Sequence, residues 1–347
     1  MNSIFRVLAA VGKTVILALV GVTVLLAVQA EWARRRRNPS LVPQVPVRSG
    51  LFGGELPGKP LELALVGDSL AAGYGAEVSD ETVGELLATG LVAAAEKPVQ
   101  LRNVAVVGSQ SKDLAGQIAR LTHPEVTLEV VVIIVGGNDI LNLQSVGASV
   151  QYLASAVRDL RRRGCRVVVA TCPDMGTVRL FAQPLRHLAH LLSRLLATAQ
   201  TIVVLRAGGR TVSLADTLGP SFTRQPDAMF SGDQVHPSSE GYARAAEVLL
   251  PSVCAAAGYW GGWKLSLPRR IHWRDRRRKW LVWLAFWAAR HAGSEVTAVN
   301  GEEKKLLHIE WPHHVPSQGL DLPHRNWRSG GHHRGAINKR IGRTPGP

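Results

Sequence analysis

The stretch LELALVGDSL, residues 61–70, decides the fold, because it is a short apolar run that ends in Gly-Asp-Ser. A run of this length, bounded by glycine, is typical of a strand buried on both faces of a parallel sheet. Similar runs recur along the chain with helix-length stretches between them. This alternation predicts βαβ units, and therefore a doubly wound, three-layer α/β fold with a parallel sheet covered by helices on both faces. The apolar runs are 61–66, 99–107, 130–135, 166–171 and 201–205, and the candidate helices lie near 80–96, 111–121, 146–163, 184–199 and 239–256.

The composition is that of a folded protein. The chain has 347 residues, of which 46% are hydrophobic and 19% charged, so it is too apolar for a disordered chain and long enough for one or two domains. Its three cysteines cannot form a disulfide framework, and none belongs to a C-x-x-C pair. Zinc fingers and thiol redox motifs are therefore excluded.

The formal charge of +15 is distributed unevenly. Residues 1–50 hold 7 basic residues and 1 acidic residue, whereas residues 51–258 hold 17 basic and 19 acidic residues. Residues 259–347 hold 17 basic and 6 acidic residues. The basic excess therefore belongs to the two ends of the chain, and the middle segment is close to neutral.

Residues 1–37 are predicted to form an N-terminal membrane anchor with a basic flank. Residues 14–30 are uncharged and mostly aliphatic, which just reaches the length of a single membrane-spanning helix. The alternative is a signal peptide cleaved after Ala30. The four arginines at 34–37 outweigh Arg6 and Lys13, and such an excess normally stays in the cytoplasm. The charge therefore favours a single-pass anchor with the main domain on the cytoplasmic side.

Residues 38–60 are rich in proline and glycine and are predicted to be an extended linker before a domain at 61–258. Within the linker, Gly53 to Lys59 spells G-x-x-x-x-G-K. Pro60 occupies the position of the magnesium-binding Ser or Thr, and the motif precedes a strand instead of following one. A nucleotide-binding loop is therefore not expected there.

The segment 259–290 is basic and rich in tryptophan. Eight of the nine tryptophans lie beyond residue 258, and those at 280, 283 and 287 share one face of a helix over 280–289 that is too short to span a bilayer. Tryptophan beside arginine indicates a helix lying on a membrane surface. The alternatives are packing of this helix on the main domain, or nucleic-acid binding, for which no recognised module is present. Residues 291–347 are predicted to be disordered.

Polar residues with catalytic potential follow the predicted strands. They are Gly67-Asp68-Ser69-Leu70 after the first run, Gly108 after the second, Gly136-Gly137-Asn138-Asp139 after the third, and Asp233-Gln-Val-His236 before the last helix. Ligands of such sheets bind at the carboxyl ends of the strands. Serine becomes a nucleophile when a neutral histidine takes its proton, and a carboxylate then holds the imidazole in place. N–H donors must meet the oxyanion that develops.

These four blocks, in this order, resemble those of the SGNH (GDSL-type) hydrolases, and the resemblance covers about residues 61–256. It implies that Ser69 is the nucleophile, that His236 is the general base and that Asp233 orients it. It also implies an oxyanion hole made by the backbone N–H groups of Ser69 and Gly108 and the side-chain amide of Asn138. Members of this family hydrolyse esters or thioesters through a flavodoxin-like fold, without a metal or an organic cofactor.

Other serine hydrolase folds are disfavoured. The nucleophile elbow reads G-x-S-x-G, but Ala71 stands where its second glycine would be. Asp68 and Asp139 flank the site, and we expect them to bind loop backbone and not to transfer protons.

The expected partner is a small-molecule or lipid ester, and the membrane is expected to be contacted through 14–30 and through 280–289. Two alternatives remain open, an acyltransferase using the same serine and a non-catalytic membrane-surface scaffold.

Overall fold

The computed structural model describes residues 2–42, 48–121, 127–259, 294–299 and 305–310. The tryptophan-rich helix predicted over 280–289 and most of the segment 291–347 lie outside the described residues, as does part of the linker. The predictions for the undescribed residues therefore stay predictions. The linker prediction is wrong at residues 50–52, which form a strand that pairs antiparallel with 99–101.

The described strands form one mixed sheet in the order β1-β3-β2-β4-β5-β6-β7-β8. Strands β3, β2, β4, β5 and β6 run parallel to one another, and β1, β7 and β8 add antiparallel strands at the two edges. The α/β fold class predicted from the alternating pattern is confirmed. The strands are β1 (Gly50–Phe52), β2 (Leu61–Gly67), β3 (Val99–Asn103), β4 (Val130–Ile134), β5 (Arg166–Ala170), β6 (Arg210–Val212), β7 (Ser294–Val299) and β8 (Lys305–Glu310).

Helices cover both faces of the central strands. On one face, α4, α6 and α7 enclose a core with β2, β4 and β5, in which Val66, Ile133 and Val169 are fully buried. On the other face lie α3 and α11, which pack closely where Gly90 faces Leu250. The helices are α1 (Asn2–Arg36), α2 (Ser69–Ala72), α3 (Val83–Ala95), α4 (Leu114–Leu121), α5 (Gly137–Leu141), α6 (Val146–Arg162), α7 (Leu185–Arg206), α8 (Leu214–Thr217), α9 (Gly219–Arg224), α10 (Pro226–Met229) and α11 (Ser239–Ala257).

The strand predicted at 201–205 is wrong, because these residues form the last turns of α7. The hydroxyl of Thr201 donates to the carbonyl of Ala197, four residues earlier, and Val204 is fully buried one turn further on. Burial at helical spacing thus overrides the weak strand preference of β-branched residues. The fifth parallel strand is instead β6, which follows the glycine pair after the helix.

The segment 291–347 is not entirely disordered, because the strands β7 and β8 lie within it. β7 pairs antiparallel with β6, and β8 pairs with β7. The sequences SEVTAV and KLLHIE contain β-branched and aliphatic residues at positions suited to pairing. The short β6 would otherwise present an unpaired edge.

The N-terminal helix α1 is long and apolar enough to cross a membrane. Within Ala10–Arg36 its most apolar 18-residue window has a mean hydropathy of 2.4, and none of that window is buried within the protein. A signal sequence near the N-terminus has the same properties. By the same criteria α7 would also qualify, but 44% of its most apolar window is buried and it is a core helix of the α/β domain.

Gly67 ends β2 in a conformation that only glycine adopts without strain, and this provides a test of the packing. A Cβ atom added there would lie 1.9 Å from the carbonyl oxygen of Ile134, and its φ is +145°. Gly67→Ala is therefore expected to lower the free energy of unfolding by about 2 kcal/mol or more. Thermal unfolding of the detergent-solubilised chain measures this loss.

The matched control is Gly147→Ala in α6, where a Cβ atom would meet nothing within 4 Å. Because alanine favours a helix over glycine, stability should be unchanged or raised by up to about 1 kcal/mol. Equal unfolding temperatures for the two variants would contradict the close approach of β2 and β4.

Candidate active site

Three chain segments converge at the carboxyl edge of the sheet: the turns after β2 and β4 and the loop that carries Asp233 and His236. β2 leads into Asp68, whose side chain accepts from the N–H of Leu70 and so caps α2, which begins at Ser69. β4 leads through Gly136 into α5, which carries Asn138. At Gly136 φ is +138°, and a Cβ atom would lie 2.8 Å from Cβ of Cys172, so glycine is required there as well.

Ser69, His236 and Asp233 form a continuous chain of hydrogen bonds. Nε2 of His236 lies 3.1 Å from Oγ of Ser69, and its Nδ1 lies 2.6 Å from Oδ2 of Asp233. All three residues are buried. This order places a proton acceptor on the serine hydroxyl and a carboxylate on the far side of the imidazole, which is the arrangement that activates a serine.

Asp233 is held as a carboxylate by its own loop. Its Oδ1 accepts from the hydroxyl of Ser231 at 3.0 Å and from the backbone N–H groups of Val235 at 3.0 Å and His236 at 2.9 Å. Burial would raise the pKa of Asp233, but hydrogen bonds and charge attraction from His236, together with these N–H groups, outweigh it and hold the pKa well below its usual range. Asp233 therefore stays ionised near neutral pH.

Two tyrosines that sequence reasoning missed support the serine and the histidine. The ring of Tyr74 contacts the imidazole of His236 edge-on at 4.7 Å between centroids. The hydroxyl of the fully buried Tyr242 donates to the carbonyl of Tyr74 at 2.9 Å and approaches that of Ser69 at 3.4 Å. Because Tyr242 lies in α11 and Ser69 in α2, this contact ties α11 to the serine. Tyr242 follows His236 at short spacing, which is the sequence signal that could have drawn attention to it.

The predicted oxyanion donors are only partly brought together. Ser69 and Asn138 line one pocket, but Gly108 is not among its lining residues. The side-chain amide of Asn138 donates to the carbonyl of Ser109 at 3.1 Å, which fixes the loop that carries Gly108. An amide has two hydrogens, so a second donor of Asn138 remains for another acceptor.

Asp68 and Asp139 bind local structure, as predicted. Asp139 accepts from the backbone N–H and the hydroxyl of Ser111 at 3.1 Å each and from the hydroxyl of Ser149 at 2.7 Å. Burial raises the pKa of Asp139 against these hydrogen bonds. Burial also raises the pKa of Asp68 to about 7; the N–H of Leu70 opposes this and the charge of Asp139 adds to it.

A pocket of about 720 Å³, partly open to solvent, adjoins the serine. Besides Ser69, His236 and Asn138, its wall includes Arg37, which belongs to the basic flank of the predicted anchor. Most of the remaining wall is apolar and comes from the segment between β5 and α11 and from the residue after Ser69: Leu70, Met175, Val178, Leu214, Leu218, Phe222 and Phe230.

The described residues contain no group of three or more His, Cys, Asp and Glu side chains placed to hold a metal ion. Asp174 pairs with Nδ1 of His190 at 2.8 Å and also accepts from the N–H of Gly176. These contacts hold the turn after β5 at the pocket wall.

A buried Ser-His-Asp set at the carboxyl edge of an α/β sheet defines a serine-hydrolase type of site. Residues 65–244 match the GDSL-like Lipase/Acylhydrolase family, and the chain belongs to that family. The resemblance inferred from the sequence motifs is thereby confirmed.

Individual relatives are similar over a little more than half of the chain. A GDSL-like esterase of Mycobacterium tuberculosis is 44% identical over 190 residues, which is 55% of this chain and 60% of that protein. The match therefore spans less than two thirds of the length of this relative. Among solved structures, Axe2, an acetylxylan esterase from Geobacillus stearothermophilus, is 18% identical with a TM-score of 0.42 over 56% of this chain and 95% of its own. AlinE4, an SGNH-hydrolase family esterase, is 21% identical with a TM-score of 0.42 over 57% and 97%.

The raised pKa of Asp68 predicts a pH dependence of stability. Between about pH 4 and pH 7 this group is protonated in the folded chain and ionised in the unfolded chain, so its contribution is full below that range and is lost as the pH rises through 7. Asp68→Asn keeps an acceptor for the helix cap but cannot ionise. The stability of the wild type relative to this variant should fall with a slope approaching 1.4 kcal/mol per pH unit.

The measurement is chemical unfolding of both proteins at a series of pH values from 4 to 8. Parallel stability curves would show that Asp68 is already ionised in the folded chain at the lower pH values.

Proposed function

We propose that the protein is a serine esterase that cleaves carboxylic esters or thioesters through an acyl-enzyme on Ser69. The observation that carries this proposal is the hydrogen-bonded chain from Ser69 through His236 to Asp233. Membership of the GDSL-like family and the likeness to a GDSL-like esterase support it.

In the proposed reaction, Nε2 of His236 takes the hydroxyl proton of Ser69 while Oγ attacks the ester carbonyl. The tetrahedral intermediate collapses, and the imidazolium gives its proton to the departing alcohol. Water then attacks the acyl-serine with His236 again acting as base, which releases the acid and restores the hydroxyl. Asp233 stabilises the imidazolium in both steps.

The oxyanion is proposed to be bound by the backbone N–H groups of Ser69 and Gly108 and by the side-chain amide of Asn138. The support for Asn138 is its place in the pocket wall and its second amide hydrogen. The support for Gly108 is indirect, because the bond from Asn138 to the carbonyl of Ser109 fixes the neighbouring residue. Removing one such donor typically costs about 3–4 kcal/mol of transition-state stabilisation.

The apolar pocket wall favours an ester with an apolar acyl chain. Leu214, Leu218 and Phe222 would bury such a chain beside Ser69, and each buried CH₂ group contributes about 0.8 kcal/mol. A lipid-like or envelope-associated ester fits this wall and also fits an α1 helix that anchors the protein in a membrane. The arginines at 34–37 favour a cytoplasmic catalytic domain in that arrangement.

Replacing the nucleophile or the base tests the proposal. Ser69→Ala and His236→Ala should each lower kcat for p-nitrophenyl butyrate by about a thousandfold or more, because the hydroxyl or its proton acceptor is lost. The measurement is nitrophenolate release by the detergent-solubilised full chain. Ser155→Ala, at an exposed position of α6, is the control and should retain full activity.

Full activity in Ser69→Ala would exclude an acyl-enzyme at this residue. A folded wild type that turns over no ester, from acetyl to long acyl chains, would favour the non-catalytic scaffold. If an added alcohol acceptor diverted most acyl groups from water, product analysis would assign the acyltransferase alternative.

Filling the pocket tests where the acyl chain binds. Gly219 lines the pocket, and a Cβ atom there would approach nothing closer than Cβ of Asp174 at 3.9 Å, so a larger side chain can be accommodated without backbone strain. Gly219→Leu should lower kcat/KM for long-chain esters relative to acetyl esters by about tenfold or more. The chain-length profile of kcat/KM is measured with nitrophenyl esters.

Gly116→Leu in α4 is the matched control, because a Cβ atom there meets nothing within 4 Å. It should keep the wild-type chain-length profile. An unchanged profile in Gly219→Leu would place the acyl chain elsewhere.

A further inference from the structure

The four arginines that follow the apolar part of α1 are not equivalent. Arg34 and Arg35 pair with Glu31 within the same helix at 3.0 and 2.7 Å, and the guanidinium of Arg36 lies over the ring of Trp32 at 3.9 Å. Arg37 instead reaches across 196 positions of sequence to the candidate active site. The run of four arginines is typical of a membrane flank, but Arg37 within it makes a contact that the other three do not make.

Arg37 contacts the carboxylate that orients the histidine. Its Nε lies 3.3 Å from Oδ2 of Asp233, the same oxygen that Nδ1 of His236 approaches at 2.6 Å. The side chain of Asp233 has no exposed surface, whereas that of Arg37 is 34% exposed and lines the pocket. A permanent cation is therefore placed between solvent and the buried carboxylate.

Other contacts hold the chain around Arg37 against the domain. The side chain of Gln29 donates to the carbonyl of Gln183 at 2.7 Å and accepts from the N–H of Leu185 at 3.1 Å. Beyond Arg37, Leu41 packs on Gly232, where a Cβ atom would lie 2.8 Å from the Leu41 carbonyl oxygen. The segment is thus fixed on both sides of the arginine, one point of contact being next to Asp233.

We propose that Arg37 is a positioning residue for the reaction, which acts through Asp233 on His236; this inference rests on the proposed esterase function. While His236 is neutral, Asp233 is a buried anion, and such an anion requires hydrogen bonds and a countercharge. Arg37 supplies both to Oδ2, so this oxygen stays directed at Nδ1. The N-terminal segment thereby contributes a working part of the active site in addition to any anchoring.

The test compares Arg37→Ala and Arg37→Lys with Arg36→Ala in the full chain solubilised in detergent. Arg36→Ala is the matched control, because it removes one positive charge from the same turn without touching Asp233. Three quantities are measured: kcat and KM for p-nitrophenyl butyrate, the rate at which a fluorophosphonate labels Ser69, and the unfolding temperature.

Arg37→Ala is expected to lower kcat and the labelling rate by about tenfold or more with KM little changed, since a hydrogen bond to a charged group is lost. Arg37→Lys should restore part of the loss, because the charge is kept and the guanidinium geometry is not. Millimolar guanidinium should raise the rate of Arg37→Ala in a saturable way, whereas urea, its neutral isostere, should not. Arg36→Ala should behave as the wild type.

A lower unfolding temperature in Arg37→Ala with unchanged kcat and labelling rate would overturn the proposal and leave Arg37 a merely structural contact. Equal loss in Arg36→Ala would overturn it as well, since a general charge effect would then suffice. If the wild type is labelled at Ser69 but hydrolyses no ester, the esterase proposal fails while the labelling rates still decide the role of Arg37. A wild type that is not labelled at all contradicts both proposals.

Discussion

The buried carboxylate of Asp233 is the group on which the arrangement of the site depends. An anion without exposed surface is stable only when its oxygens are satisfied, and here Ser231, Val235 and the backbone of His236 serve one oxygen. The other oxygen is shared by the imidazole of His236 and the guanidinium of Arg37. The shape of the loop, the direction of the histidine and the path of the N-terminal segment are consequently specified together. Displacement of any one of them would leave the buried carboxylate with fewer hydrogen bonds.

The same edge of the sheet holds two further buried carboxylates close to the serine. Asp139 is satisfied by Ser111 and Ser149, whereas Asp68 has a pKa near 7 and caps the short helix that begins at Ser69. Burial of these groups opposes folding at neutral pH, but each of them fixes a loop that leads directly to the pocket. These buried carboxylates thus lower the stability of the folded chain while they make the site rigid. Functional sites commonly cost stability in this way.

Much of the fold and of the site geometry could be predicted because the signals are local. Apolar runs of strand length specify the central strands, and Ser69 and His236 stand directly after or before a predictable element. The run 201–205 misled the interpretation because its β-branched residues are equally consistent with a buried helix, and only packing decides between the two. The contact of Arg37 with Asp233 could not be predicted from the sequence. The run of four arginines is already explained as the basic flank of a membrane helix, and Asp233 lies 196 residues away.

The helix α1 also determines how far the pocket would lie from a bilayer. Its 35 residues would extend about 50 Å, whereas the hydrocarbon core of a bilayer is about 30 Å thick. Gln29 contacts the backbone of Gln183 and Leu185 in the α/β domain, so it cannot lie within the lipid. With α1 as an anchor, the bilayer would therefore end near Gln29. Arg37 follows eight positions later, which corresponds to about 12 Å of helix. The mouth of the pocket would then stand at the level of lipid headgroups, and an ester there would reach Ser69 with its tail still in the monolayer. Cleavage after Ala30 would remove Gln29 and its contacts but leave Arg37 and its contact with Asp233 in place. The candidate active site would then keep this contact without the membrane anchor.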